Sequence, residues 1–419
     1  MFWLIENSKQ FSWLQNSGFK EVFVEIIPNN PFQHPSQNSI CAFYVRPIIG
    51  HKGYILPVSH PECENLFEDE VYLWLKGLDK IYVRDKKEFL HYTIFKQLVD
   101  ITLQSPPYIQ PNTTAHTTLY KRFPDLETVN QLVPITKHYE VCEQVYDDLE
   151  HRINTAVNPF YNDKATLVFN AIERNGIKVN KNEFEKHFHQ IKSEFTHTVY
   201  NFKTLTTRPS NKFNGVNYAA LPKENGCRKS FIPLNDIFVE FDISAYHPTL
   251  CGMLVDFKFG DGDIHKSFAS MYGVDYAKAK ELTFKQLYGG VFNQYKDLPF
   301  FKATSEYIRT TWETFENSGS ITCPISNHVF KKDELENMNP QKLFNYILQN
   351  METSLNIEIL FRIFKLLKGK NTKLVLYTYD SFLFDVDETE LSILDEIKQV
   401  FKKLKLQIKE KNGSNYDFE

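Results

Sequence analysis

Two apolar runs that each stop at an aspartate most narrowly limit how this chain folds. In FVEFDISAYHPTL, Val239, Phe241 and Ile243 alternate with Glu240 and Asp242. Alternation at period two marks a strand with one apolar face, and the run passes directly into a helical pattern. In KLVLYTYDSFLFDV, two apolar runs flank Tyr379-Asp380-Ser381, which puts Asp380 at the tip of a tight hairpin. Helical patterns over 342–369 and 388–404 surround that hairpin, and LKLQIKE reads as a last strand. Strands in hairpin order with helices on one side predict an α+β sheet domain.

Upstream, EVFVEII, SICAFYVRPII and KGYILPV read as short strands separated by Asn-, Pro- and Gly-rich turns. Residues 68–104 read as helical or mixed, and 105–118 as a loop. Residues 138–160 and 163–175 read as helices, the second ended by Asn175-Gly176. A first boundary is expected near 160. A further short helical piece is expected within 180–202, and 262–340 reads as mainly helical with one turn-rich insertion.

The chemistry-bearing residues lie around these elements. A carboxylate at a strand end, such as Asp242, binds a hard cation with the next backbone carbonyl or caps the following helix. Asp380 faces a ligand or satisfies its own turn. Brought together, two such carboxylates hold a pair of divalent ions about 3.5–4 Å apart. In AKAKELTFKQLYGG, Lys280, Phe284 and Tyr288 recur every four residues and share one helix face. That face either meets a triphosphate and a base or packs into the core with a snorkelling lysine.

These three segments, in this order, resemble motifs A, B and C of the family A DNA polymerases. Asp242-Ile243-Ser244 matches the strand-to-helix aspartate, and Tyr379-Asp380-Ser381 the hairpin aspartate. Lys280, Phe284, Tyr288 and Gly289 match Lys-xxx-Phe/Tyr-xxx-Tyr-Gly in full. GDIHKSFASMYGV, TTRPSN, CRKSFIP and NYILQN are similar to further stretches of the family, and the closing segment carries Tyr416 where the family has Trp. The resemblance covers 165–419 almost continuously. It implies the right-handed polymerase fold: palm 216–261 and 341–419, fingers 262–340, and a reduced thumb and linker at 161–215. It implies Asp242 and Asp380 as catalytic residues that, with the Ile243 carbonyl, hold two Mg2+ ions for which Mn2+ substitutes. Ile243, His247, His265, Lys280, Phe284 and Tyr288 would contact the dNTP. Arg208, Asn345, Gln349 and Tyr379 would contact primer–template DNA.

The departures carry their own expectations. The DNA polymerases usually have Glu five residues after the first aspartate, where it blocks a ribose 2′-hydroxyl; here His247 stands there. Tyr-Asp-Ser-Phe is similar to the hairpin of single-subunit phage RNA polymerases, whereas Phe284 is the DNA-type residue. Tyr276 replaces an Arg four residues before Lys280, and Lys278 is expected to take over part of its role. The short thumb predicts distributive synthesis or dependence on a processivity factor, because each lost phosphate contact weakens binding. Residues 1–160 resemble the family's ribonuclease H-like 3′–5′ exonuclease domain, with Tyr139-xxx-Glu143 similar to its Tyr-xxx-Asp. One expected carboxylate is missing at Phe23-Val24-Glu25. Glu25, Glu88 and Glu143 either form a remnant site or leave a structural domain, and the second is expected. The leading reading is a DNA-templated DNA polymerase of phage replication. The alternatives are a sugar-tolerant or RNA-synthesising polymerase or primase, and a catalytically weak DNA-binding subunit.

Composition excludes little of this. A net charge of −4 over 419 residues is no signature of a nucleic-acid coat, but a basic channel and an acidic metal site offset each other in that sum. The six cysteines include no CxxC pair, which argues against a zinc knuckle. The N-terminus lacks a signal-peptide core and no apolar run suits a membrane span, so a cytoplasmic protein is expected.

Overall fold

The structure is a computed structural model that describes residues 3–50, 52–103, 122, 129–153, 159–260 and 262–418. The loop read over 105–118 lies outside them. The chain divides into two compact units, Met1–Asn170 and Ala171–Glu419.

The first unit is built on a five-stranded sheet. Strands β1 (Glu21–Pro28), β2 (Ile40–Pro47) and β3 (Tyr54–Pro57) form an antiparallel meander. Strands β4 (Lys80–Val83) and β5 (Leu98–Asp100) then add parallel to β1, giving the order β3-β2-β1-β4-β5. Both sheet faces are covered, which is why EVFVEII carries so few polar residues. Val22 and Val24 pack with helices α1 (Ser8–Gln15) and α2 (Glu68–Lys76). Phe23 and Ile27 point the other way, onto helix α3 (Ile135–Leu149). The mixed reading of 68–104 resolves into α2, β4, a one-turn helix at Lys86–Phe89, and β5. The apolar residues after Phe89 pack into a core without helical repeat.

Helix α4 (Pro159–Asn175) ends at Gly176, whose φ of +63° suits a residue without Cβ. From 176 to 245 the one α-helix is the seven-residue Lys181–His187. The helical reading of 180–202 fails beyond His187, where Phe195–Thr196 and Tyr200–Asn201 join two-residue ladders instead.

The second unit centres on an antiparallel sheet of β6 (Ile237–Ile243), β7 (Lys373–Thr378), β8 (Ser381–Val386) and β9 (Ile408–Gly413), in the order β7-β8-β6-β9. Helices α5 (Tyr246–Leu254), α6 (Ile264–Tyr272), α7 (Tyr276–Gly289), α8 (Pro299–Ser318), α9 (Pro340–Leu366) and α10 (Ser392–Lys403) complete it. On α10, Ile393, Leu394, Ile397, Val400 and Phe401 form a buried stripe at helical spacing. Phe401 meets Phe241 and Phe382 edge-on. The opposite sheet face is covered by a layer with little helix, in which Phe238, Val375 and Leu383 pack with Tyr218, Phe231 and Tyr416.

Candidate active site

The two aspartates meet because β6 and β8 are neighbours. Asp242 lies opposite Ser381, and the Ile243 N–H donates to the Asp380 carbonyl at 2.8 Å. Two backbone kinks set the geometry. Tyr379 and Asp380 form a two-residue connection between paired Thr378 and Ser381. Tyr379 takes φ +58°, a left-handed conformation that costs a non-glycine residue about 1–2 kcal/mol. Its surroundings hold it there: the Arg208 guanidinium lies 3.7 Å from its ring centroid, and Asn356 Nδ2 donates to its carbonyl at 2.6 Å. Ala245 is also left-handed, at φ +48°, and is the N-cap of α5. Asp242 is therefore not the cap of that helix.

Asp380 reaches solvent in a cleft, yet the protein around it desolvates its carboxyl. That desolvation, then the charges of Asp242 and Glu352, push it up to about 6. Burial and Glu240 also raise Asp242, against the pull of Lys411, Lys223 and Lys280. Two hard-oxygen groups that each favour their protons suit a divalent cation between them, because the ion removes the repulsion.

The cleft holds about 280 Å³, and Asp242, Ile243, His247, His265, Lys280, Phe284, Tyr288, Arg208 and Asp380 all line it. Asn345, Gln349 and Tyr379 are not among its lining residues. On α7 the buried face is Ala279, Thr283, Gln286 and Leu287. The stripe of Lys280, Phe284 and Tyr288 thus faces the cleft rather than the core, and Phe284 and Tyr288 stack at 5.9 Å with 16° between their planes. Burial, then Lys280, lowers His265 and favours its neutral ring. Its Nδ1 is buried with no hydrogen-bond partner among the described residues.

Three charged lining residues escaped the sequence reading: Lys223, Lys409 and Glu352. Lys409 lies on β9 opposite Asp242 and donates to the Tyr276 hydroxyl at 3.3 Å. Tyr276 in turn donates to Asp263, the cap of α6. Lys278, expected to replace the missing arginine, is instead paired with Glu281 on the exposed side of α7 and does not line the cleft. Glu352 is buried on α9 and binds His247 Nε2 at 2.5 Å and Arg208 Nε at 3.1 Å. The other ring nitrogen of His247 lies 2.6 Å from the Tyr288 hydroxyl.

The same helix carries two of the residues read for DNA contact. Gln349 accepts from Thr206 at 3.1 Å, and Asn345 Oδ1 is buried without a partner among the described residues. Asn345, Gln349, Glu352 and Asn356 recur at i, i+4, i+7 and i+11, a polar stripe along one face of the helix. That polar stripe was the signal that would have found Glu352.

The first unit does not bring its three carboxylates to one site. Glu25 binds Arg84 Nε at 2.8 Å, and Arg84 Nη2 binds Glu88 at 3.0 Å. Glu143 instead accepts from Arg46 at 2.7 Å, the Tyr44 hydroxyl at 2.8 Å and the Gly53 N–H at 2.7 Å. A Cβ on Gly53 would lie 2.3 Å from the Tyr44 ring, so this close approach requires glycine.

No family model matches the chain, and no curated protein does. Among solved structures, the POL domain of Pol1 from M. smegmatis, in complex with DNA primer-template and dNTP, is similar to it. The TM-score is 0.69 at 14% identity, covering 99% of each chain. The chain therefore shares the fold of that POL domain. Among the described residues, no helix is long and apolar enough to cross a membrane.

Proposed function

We propose that this chain is a DNA-templated DNA polymerase that adds dNTPs to a primer 3′ end. One observation carries the reading: Asp242 and Asp380, 138 residues apart in sequence, border one cleft with Arg208, Lys280 and Lys409. Asp242, Asp380 and the Ile243 carbonyl would hold two Mg2+ ions, or Mn2+ in their place, which supply activation of the primer 3′-hydroxyl and stabilisation of the leaving pyrophosphate. Lys280, Lys409 and His265 bind the triphosphate, while Phe284 and Tyr288 offer aromatic faces to the base. Arg208, with Asn345, Gln349 and Tyr379, positions the primer end and template. In this reading the sheet and α9 form a palm, 262–340 the fingers, and the short-element segment before 216 a reduced thumb.

The strand order of the first unit suits a ribonuclease H-like exonuclease-type domain. Its carboxylates are paired with arginine, which supports a structural role without hydrolysis. Action in phage genome replication, in the cytoplasm of an infected cell and with a processivity factor, rests on the sequence resemblance.

The test is single-nucleotide incorporation on a labelled primer opposite each template base, with Mg2+ and one dNTP at a time. The reading expects extension by the complementary nucleotide alone. Extension that ignores the template, or none with any nucleotide, would overturn it.

A further inference from the structure

His247 occupies the first turn of α5, and both of its ring nitrogens are engaged. Nε2 meets Glu352 at 2.5 Å and Nδ1 meets the Tyr288 hydroxyl at 2.6 Å. An ionised carboxylate only accepts, so it fixes the hydrogen on Nε2. In the neutral ring, Nδ1 is then an acceptor, and the Tyr288 hydroxyl donates to it. The carboxylate thus orients a tyrosine that it does not touch. It also tethers Arg208, whose guanidinium covers the Tyr379 ring.

We propose that Glu352 is a positioning residue for sugar selection: by fixing the His247 tautomer it holds His247 and Tyr288 as a wall against the 2′ position of the incoming nucleotide. The inference rests on the polymerase reading above. A wall that excludes a 2′-hydroxyl must not move and must not offer it a hydrogen bond. With both nitrogens committed, His247 has neither donor nor acceptor left for that hydroxyl. Loss of the carboxylate frees Nε2 and allows the ring to turn, so a ribose gains both space and a partner.

The test compares kcat/KM for a dNTP and the matching rNTP in the wild type and in Glu352→Gln, with unfolding temperatures measured alongside. Glu352→Gln should narrow the dNTP-over-rNTP preference about tenfold or more, the worth of one charge-assisted hydrogen bond. An unchanged ratio overturns the inference. If that variant does not fold, Glu352→Asp keeps the charge but shortens the reach, and it too must narrow the ratio. Nitrogen-15 NMR of the His247 ring gives a readout independent of activity. Hydrogen on Nε2 in the wild type supports the proposal, and hydrogen on Nδ1 alone overturns it. A wild type that incorporates neither nucleotide sinks the polymerase reading instead, while the ring spectrum still decides whether Glu352 fixes the tautomer.

Discussion

At the scale of single residues, the site is governed by crowding of negative charge. A folded carboxyl raised above its unfolded value keeps its proton longer, so Asp380 contributes stability that falls away as pH rises toward about 6. A divalent ion competes with that proton and restores the loss. The Mg2+-induced rise in unfolding temperature should therefore be larger at about pH 8 than at about pH 5; equal shifts would contradict the crowding. Lys409 and Lys278 make a second contrast. Lys409→Ala should raise KM for the triphosphate roughly tenfold, through loss of a charged contact. Lys278→Ala, paired with Glu281 away from the cleft, should leave KM unchanged. The aspartates were legible in the sequence because each ends a strand pattern. Lys409 and Lys223 were not, since only strand register and the path of an irregular segment bring them to the cleft, and Glu352 was marked by the polar stripe on α9 alone.

At the scale of elements, α9 ties together the two turns that carry Asp242 and Asp380. Buried Asn356 donates to the Tyr377 hydroxyl at 2.8 Å and to the Tyr379 carbonyl at 2.6 Å, and accepts from the Tyr246 hydroxyl at 2.9 Å. Tyr246 opens the helix after Asp242, and Tyr379 precedes Asp380. Asn356→Leu would strand several buried polar groups and should cost about 3 kcal/mol in chemical denaturation. It should also lower kcat, because both turns lose their common anchor; an unaltered kcat would show that the turns hold themselves. Long periodic elements were readable in advance: β6, the hairpin of β7 and β8, α7 and α9 lie close to where alternation and helical spacing put them. The short ones were not. The stretch after His187 carries helix formers, but its residues join two-residue ladders, a tertiary choice that propensity does not encode. The last strand begins at Ile408 rather than near Leu404, because Lys405 takes φ +59° and turns the chain first.

At the scale of the whole molecule, the formal charge of −4 conceals a cleft ringed by Arg208, Lys223, Lys280 and Lys409. Between 176 and 245 no long helix is available to grip a duplex. Phosphate contacts are then few, and synthesis should be distributive without a partner. With a trap for dissociated enzyme, products should be short; long products from single binding events would contradict this. The first unit should not shorten a mismatched primer, since Arg84 and Arg46 occupy the carboxylates. In the proposed reaction Asp242 and Asp380 together make the cleft a site of nucleotidyl transfer. Primer extension by Asp242→Asn and Asp380→Asn beside the wild type, with template binding measured on the same preparations, tests this. Incorporation should fall by several orders of magnitude, with binding retained. Extension by either variant at the wild-type rate would contradict it.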